Sequence, residues 1–412
     1  MKDQQAAAAT VCEWSLTAMD APTAYRLVDR ALSEAALNRA RPKHIQVPIE
    51  VLGSMADPAP APLPLPDARR HMPGAVAEVA QKIAAAQKVM FVFGGGAQNA
   101  SDSARQVLAR CGAASFTTYA GRGVAAPDDP LHFGAYLARP DSAGVMAQAD
   151  LVVAVGTELS EVDLWRNRLG HTAPMIRIDI DAQVFADQQG NEMPVLADAD
   201  TFLSDLLGAL PQGTSDWSEK DVASAQARWR AEAGAERPGI LPICDALAEV
   251  MPEDAMIYSD MTQIAYVAKE VWPMSRPGHW HHPFGFGTLG YALPASIGGA
   301  VARPGLPTCA IIGDYGLHYT MPEIGVAVEL GLPLPILLWD NAKLKEIEDS
   351  MVRSQIAPNA VVAHIPDFLQ VAKAFGANAE QPEDLPALQT ALINAFSADR
   401  PTLIRMTPAL TA

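Results

Sequence analysis

Short apolar runs with no internal alternation constrain this chain most. Val89–Phe93 (VMFVF), Leu151–Val155 (LVVAV), Thr308–Ile312 (TCAII) and Pro335–Trp339 (PILLW) are such runs, and Met175–Ile180, Ala255–Tyr258 and Thr402–Met406 come close. A strand with one wet face alternates apolar and polar residues, so a continuous run requires cover on both faces. Helical stretches near 102–111, 293–302, 322–330 and 367–375 supply that cover. Strand and helix repeated in this order predict parallel sheets flanked by helices. The fold class is α/β: two doubly wound parallel-sheet domains plus an N-terminal remnant of a third.

Two stretches divide the chain. Met55–Pro73 (MADPAPAPLPLPDARRHMP) reads as a linker, because proline lacks the backbone donor and fixes φ. A second boundary is expected across Leu210–Gly239. The division is 1–52, a linker at 53–75, a central α/β domain at 76–210, a linker at 211–238, and a second α/β domain at 239–412. In the first segment, Pro22–Ala36 reads as an amphipathic helix with its proline in the first turn, and His44–Val51 (HIQVPIEV) as a strand. One helix and one strand cannot enclose a core. Residues 1–52 are therefore expected to dock on something else, which predicts a homodimer or homotetramer.

Composition narrows the partners. The net charge of −17 opposes association with nucleic acid or an anionic membrane. The most apolar late stretch, Ile324–Leu338, is broken by Glu329, Pro333 and Pro335, so no run reaches membrane-spanning length. Cys12, Cys111, Cys244 and Cys309 are far apart and form no CxxC pair, which fits buried thiols in a reducing, cytoplasmic setting.

The segment with most chemistry is Ile311-Ile312-Gly313-Asp314-Tyr315-Gly316, followed by Trp339-Asp340-Asn341. Asp314 ends one strand and Asn341 the next, so both side chains emerge at the carboxyl edge of the sheet, where α/β folds bind ligands. Oxygen ligands from two strand ends suit octahedral Mg²⁺ completed by a diphosphate and water. A helix starting near Met321 is expected to aim its amides at the same space.

These residues resemble the thiamine-diphosphate motif of acetolactate synthases and 2-oxo-acid decarboxylases, Gly-Asp-Gly followed by Asn-Asn; here Asp314 and Asn341 stand 27 positions apart. The stretch Gly285–Gly298 (GFGTLGYALPASIG) is similar to the turn and helix beneath the cofactor's thiazolium ring in that family. The order Asp260/Gln263, glycine turn, Gly313-Asp314, Asn341 is also the family's. The resemblance implies that Gly287, Thr288, Leu289, Gly313, Asp314, Tyr315, Gly316 and Asn341 hold thiamine diphosphate, with Leu289 as the apolar wedge that bends it. Asp314, Asn341 and the backbone carbonyl of Lys343 are then the Mg²⁺ ligands. The segment HIQVPIEV resembles the closing strand of the pyrimidine-binding domain, and 76–208 the central domain. Details around Phe284–Ile297 are most similar to decarboxylases of guanidino-2-oxo acids. The implied activity is decarboxylation or carboligation of a small 2-oxo acid.

Three positions depart from that pattern. Tyr315 replaces the second glycine, where a phenol ring is expected to crowd the diphosphate or strain the backbone. Asp340 replaces the first asparagine and adds negative charge, which Lys345 is expected to offset in part. Lys343-Leu344-Lys345 replaces the usual Tyr-Gly. The glutamate that activates the cofactor in the family has no counterpart in the sequence, and neither Glu13 nor Glu50 takes its role. An active lyase would then draw that carboxyl group from a separate pyrimidine-binding-domain chain. The alternative is a non-catalytic truncated homologue acting as scaffold or regulatory subunit.

Other features have competing readings. Gly94-Gly95-Gly96 is a candidate FAD, ADP or nicotinamide-dinucleotide cradle, or simply a tight strand-to-helix turn. His279, His281 and His282 lack regular metal-ligand spacing and read as packing or substrate contact. Asp179 and Asp181 read as a turn or helix cap. Lys343, Lys345, Glu346, Glu348 and Asp349 lie on a mixed-charge helix, with Glu346 a candidate for substrate contact.

Overall fold

In a computed structural model of the chain, residues 2–62, 64–65, 71–187, 189–213, 215–362 and 364–411 are described. The N-terminal segment holds strands β1 (Trp14–Thr17) and β2 (Lys43–Gln46), paired in parallel through Trp14↔Lys43 to Thr17↔Gln46. The helix Ala21–Leu37 crosses between them. Pro22 sits in its first turn, and the Asp20 carboxylate accepts from Thr23 N at 2.7 Å. The expected strand at 44–51 is shorter than read. It ends at Gln46, Pro48 closes it, and Ile49–Leu52 turns into a short helix. The segment docks on the middle sheet through Arg41, whose guanidinium meets Asp181 at 2.8 Å and Gln183 at 3.0 Å.

The middle sheet has five parallel strands: β3 (Val89–Phe93), β4 (Ala114–Thr117), β5 (Leu151–Val155), β6 (Met175–Asp179) and β7 (Glu192–Leu196), in the order β4-β3-β5-β6-β7. The C-terminal sheet has six: β8 (Met256–Ser259), β9 (Trp280–His281), β10 (Thr308–Gly313), β11 (Pro335–Trp339), β12 (Asn378–Glu380) and β13 (Thr402–Met406), in the order β12-β13-β11-β10-β8-β9. All pairs are parallel. Both sheets are covered on both faces, as the continuous apolar runs require.

One hydrophobic core joins the sheets. It contains Val92, Phe116 and Val152 from the middle sheet and Ile257, Ile311 and Leu337 from the C-terminal sheet. Between them lies the helix Glu219–Glu236, with Trp229 fully buried. The stretch 211–238, read as a linker, is thus largely a packed helix. In the proline-rich stretch, residues 55–62, 64, 65 and 71–73 form neither helix nor strand, and the remainder lies outside the described residues.

The chain leaves β8 for β9 on one side and returns to β10 on the other. The ends of β8 and β10 therefore flank a topological switch point, the usual ligand crevice of such sheets. β10 and β11 are hydrogen-bonded neighbours with Gly313 opposite Trp339, so Asp314 and Asn341 leave the sheet side by side.

Candidate functional site

A cleft of about 270 Å³ opens at this edge, lined among others by Gln263, Leu289, Gly313, Asp314, Asn341 and Lys343. Asp314 is 5% exposed. Its Oδ1 accepts from Tyr315 N at 2.8 Å, while Oδ2 is buried with no hydrogen-bond partner among the described residues. Burial and the neighbouring Asp340 push the carboxyl up to about 6, against the opposing pull of the amides of Tyr315, Ala342 and Lys343. The helix over this space starts at Asp314 and runs to Thr320. It is not the one expected near Met321, which begins at Glu323.

Tyr315 needs no strained backbone. It lies in the first turn of that helix and is not among the residues at positive φ. Its hydroxyl donates to Val361 O at 3.3 Å. The glycine that packing demands is Gly316, where a Cβ would stand 2.1 Å from Asp260 Oδ2. Asp260 is fully buried, and the same oxygen accepts from Gly290 N at 2.7 Å. One carboxylate thus ties the end of β8 to the glycine turn. Gly287 (φ 65°) and Gly290 (φ 86°) adopt the left-handed conformation that turn needs. Gly287 and Leu289 face the cleft, whereas Thr288 lies on the exposed side of the turn.

Asp340 is 3% exposed and is neutralised within the fold. Arg405 Nε on β13 donates to its Oδ2 at 2.7 Å, and Ala342 N to its Oδ1 at 3.1 Å. The expected compensation by Lys345 is not what the structure shows, since Lys345 pairs with Asp349 and with Glu348. Lys343 pairs with Glu348 at 2.9 Å.

The amide of Asn341 is oriented by a relay. Trp339 Nε1, which can only donate, meets Gln263 Oε1 at 3.2 Å, and Glu346, which as a carboxylate only accepts, meets Gln263 Nε2 at 3.0 Å. Gln263 therefore offers an oxygen to Asn341, whose Nδ2 donates to it at 2.9 Å. Asn341 Oδ1 is left on the other side, accepting from Lys343 N at 3.2 Å. Glu346 is held in turn by Arg237, through Nε and Nη2 at 3.0 Å each. Sequence reasoning missed Trp339, Arg237 and Arg405 as parts of this site. Their partners lie tens of residues away, and only the tertiary packing of strands and helices brings them together.

The other features resolve into packing. A Cβ on Gly94 would stand 2.2 Å from Gly156 O, and one on Gly96 2.9 Å from Gly156 Cα. Gly94 and Gly96 are therefore required for close backbone approach between the ends of β3 and β5. His279 Nδ1 lies 3.3 Å from Ala255 O, His281 stacks on Tyr258, and His282 Nδ1 lies 2.9 Å from Ser259 Oγ. Asp179 closes a turn on Asp181 N, and Asp181 caps a short helix at Gln183 N. Cys111, Cys244 and Cys309 are buried free thiols. No helix among the described residues is long and apolar enough to cross a membrane.

Residues 260–406 match the family described as the C-terminal TPP-binding domain of thiamine pyrophosphate enzymes, and residues 76–206 match the central domain of the same enzymes. The chain belongs to the thiamine pyrophosphate enzyme family. Over 98% of its length it is 37% identical to the "Probable 2-ketoarginine decarboxylase" of Pseudomonas aeruginosa, covering 73% of that protein. It is 26% identical to the Escherichia coli acetolactate synthase isozyme 2 large subunit, over 92% of this chain and 71% of the other. A solved structure from Mycobacterium smegmatis, described as a thiamin diphosphate-dependent enzyme, superposes with a TM-score of 0.76 at 20% identity. That match covers 96% of this chain and 76% of the other. The middle and C-terminal sheets are thus the central and TPP-binding domains of the family.

Proposed function

We propose that the cleft between β8, β10 and β11 binds thiamine diphosphate through Mg²⁺, and that the protein decarboxylates, or carboligates, a small 2-oxo acid. The observation that carries this reading is Asp314 Oδ2, a buried carboxylate oxygen with no partner among the described residues, at a cleft that Asn341 also lines. The donor set of Asp314, Asn341 and the Lys343 carbonyl is all oxygen, which suits a hard divalent cation. A cation there also favours the ionised form that burial of Asp314 disfavours.

When bound, thiamine diphosphate supplies a carbon nucleophile and an electron sink for the 2-oxo acid. The chain's own residues do the rest. Asp314 and Asn341 anchor the charge, Asp260 holds the glycine turn, and Leu289 offers an apolar wall. The glutamate implied by the resemblance is proposed to come from a second polypeptide at a subunit boundary, in a homodimer or homotetramer. Decarboxylation is favoured over carboligation by the name of the 37%-identical relative. A guanidino substrate of the kind that name suggests would have to compete with Arg237, which already fills Glu346. Asp340 lends the scaffold reading no support, because Arg405 pairs with it, whereas Tyr315 sits on unstrained backbone but lines the cleft.

The test is calorimetric titration of the purified protein with thiamine diphosphate, with and without Mg²⁺. Metal-dependent binding that Asp314→Ala abolishes is the expected result. Absence of binding at millimolar cofactor would overturn the proposal.

A further inference from the structure

The helix that carries Gln263 is held at its far end by the central domain. It spans Gln263–Val271 and runs from the cofactor cleft to the seam between the central and TPP-binding domains. Gln263, Tyr266 and Glu270 stand at i, i+3 and i+7, which places them in one stripe along the helix. Ile264, Ala265, Val267, Ala268 and Val271, around the rest of its circumference, are buried.

An arginine and a glutamate meet at each end of the stripe. At the cleft end, Glu346 accepts from Gln263 Nε2 at 3.0 Å and is itself held by Arg237, whose guanidinium lies over the Tyr266 ring at 5.5 Å. At the seam end, Arg139 Nε donates to Glu270 Oε2 at 2.7 Å, and its Nη2 lies 2.5 Å from the same oxygen. The Tyr119 hydroxyl approaches Glu270 Oε1 at 3.4 Å. Arg139 and Tyr119 belong to the central domain, Glu270 to the TPP-binding domain.

Arg139 is 4% exposed, and the side chain of Glu270 is 10% exposed. Burial raises the Glu270 carboxyl, and the Arg139 guanidinium opposes that shift. A pair so shielded from water is screened far less than a surface pair, and removing one partner is costly. Arg139 has a second arm. Its Nη1 donates at 2.6 Å to Glu236, the residue before Arg237 and the last of the helix Glu219–Glu236. Glu236 is half exposed, so this arm is the weaker one.

We propose that Arg139 is a positioning residue for the metal site: by holding the helix Gln263–Val271 at Glu270, the central domain sets where Gln263 meets Asn341. The inference rests on the reading of the cleft as a Mg²⁺–diphosphate site. A helix is stiff along its axis, so a displacement at Glu270 reaches Gln263 about two turns away. The contacts of Gln263 with Asn341 and Glu346 are 2.9 and 3.0 Å, and a shift of roughly 0.5 Å takes such contacts to the limit of hydrogen bonding. Domain docking and metal affinity are then linked through one buried ion pair.

The experiment measures, in the full chain, the Mg²⁺ concentration for half-maximal thiamine diphosphate binding. Arg139→Met is expected to raise it about fivefold, and Arg139→Lys, which keeps the charge and loses the fork, by less. Arg105→Met is the control for a weakened seam. Arg105 crosses between the domains by donating to Ser275 O at 2.7 Å, its other bonds go to Gly123 O and Val124 O, and its replacement should leave the Mg²⁺ requirement unchanged. Gln263→Met should raise the requirement by itself, and Arg139→Met should add nothing in that background, whereas a merely structural role would add the same factor in both. Where Arg139→Met fails to fold, Arg139→Lys carries the same comparisons. An unchanged requirement in the Arg139 variants, an equal further rise in the Gln263→Met background, or an equal rise in Arg105→Met would overturn the proposal. A wild-type protein without Mg²⁺-dependent binding would overturn the cleft reading and this inference together, an outcome distinct from those three.

Discussion

Gln263 fixes the orientation of the Asn341 carboxamide by accepting from its Nδ2, at 2.9 Å. Gln263 has no freedom to do otherwise while Trp339 donates to the same oxygen and Glu346 accepts from its nitrogen. Replacing Trp339 by Phe removes the donor that locks this arrangement. A hydrogen bond of this type contributes about 1 kcal/mol. Trp339→Phe is therefore expected to raise the Mg²⁺ concentration needed for half-maximal cofactor binding several-fold, in addition to the loss of melting temperature that trimming a buried ring brings. Titration at stepped Mg²⁺ reads this directly, and an unchanged requirement would show that the relay does not set the amide.

Asp340 and Arg405 form a pair whose acidic half is almost fully buried. Removing only the arginine leaves a buried carboxylate without its counter-charge, which costs on the order of 3 kcal/mol. Arg405→Met should lower the denaturation midpoint markedly. The double change Arg405→Met with Asp340→Asn, which restores the family's asparagine, should recover much of the loss. If the double variant is no more stable than the single one, Arg405 acts through packing instead.

Arg237 occupies Glu346 with both ends of its guanidinium fork and lies over the Tyr266 ring at 5.5 Å. An isolated guanidino-2-oxo acid has the same recognition chemistry as this side chain. Arg237→Ala is expected to improve kcat/KM for a guanidino-2-oxo acid relative to an aliphatic one by about tenfold, an effect of ~1.4 kcal/mol. Competition assays with the two substrates would show it, and an unchanged preference would remove Glu346 from substrate selection.

His132 is buried against Ser115, and burial holds its ring down at about 4. A base whose pKa is depressed by folding is neutral in the native state, so folding is opposed once the unfolded chain takes up protons. The stability tied to His132 is complete above the ordinary histidine value of about 6.5 and is lost as pH falls from there toward 4. The loss is on the order of 3 kcal/mol. Burial of Asp260 acts in the opposite sense, raising its carboxyl. The readout is therefore the difference between wild type and His132→Gln in urea denaturation at pH 7 and pH 4.5. Equal pH slopes would mean that the buried ring does not contribute.

Gly94 and Gly95 differ in what a methyl group would meet. At Gly94 it would collide with Gly156 O, whereas at Gly95 it would approach Ala120 Cβ at 3.1 Å. Gly94→Ala should destabilise the central domain by several kcal/mol and Gly95→Ala by much less. Similar losses at both positions in thermal denaturation would count against the close-approach explanation.

Much of the architecture was legible because continuous apolar runs have one reading in a layered fold. β3, β5, β11 and β13 have the residue limits expected from sequence, and β6, β8 and β10 differ by a residue or so. β1, β4, β7, β9 and β12 were not expected. Most are edge strands with polar residues in their runs, such as Glu192 in β7 and Asn378 and Glu380 in β12, so the apolar signal is diluted. Asp314 and Asn341 were legible as a pair because each directly follows a recognisable strand.

The sequence by itself determined that parallel strands would deliver Asp314 and Asn341 to a carboxyl edge, since local hydrophobic pattern decides where buried strands end. Only the tertiary structure decided what surrounds them. Arg405 neutralises Asp340 because β13 lies beside β11, and Gln263 orients Asn341 because β8 and β11 both flank β10. Each depends on strand order and domain packing, which long-range contacts fix and local patterns do not encode.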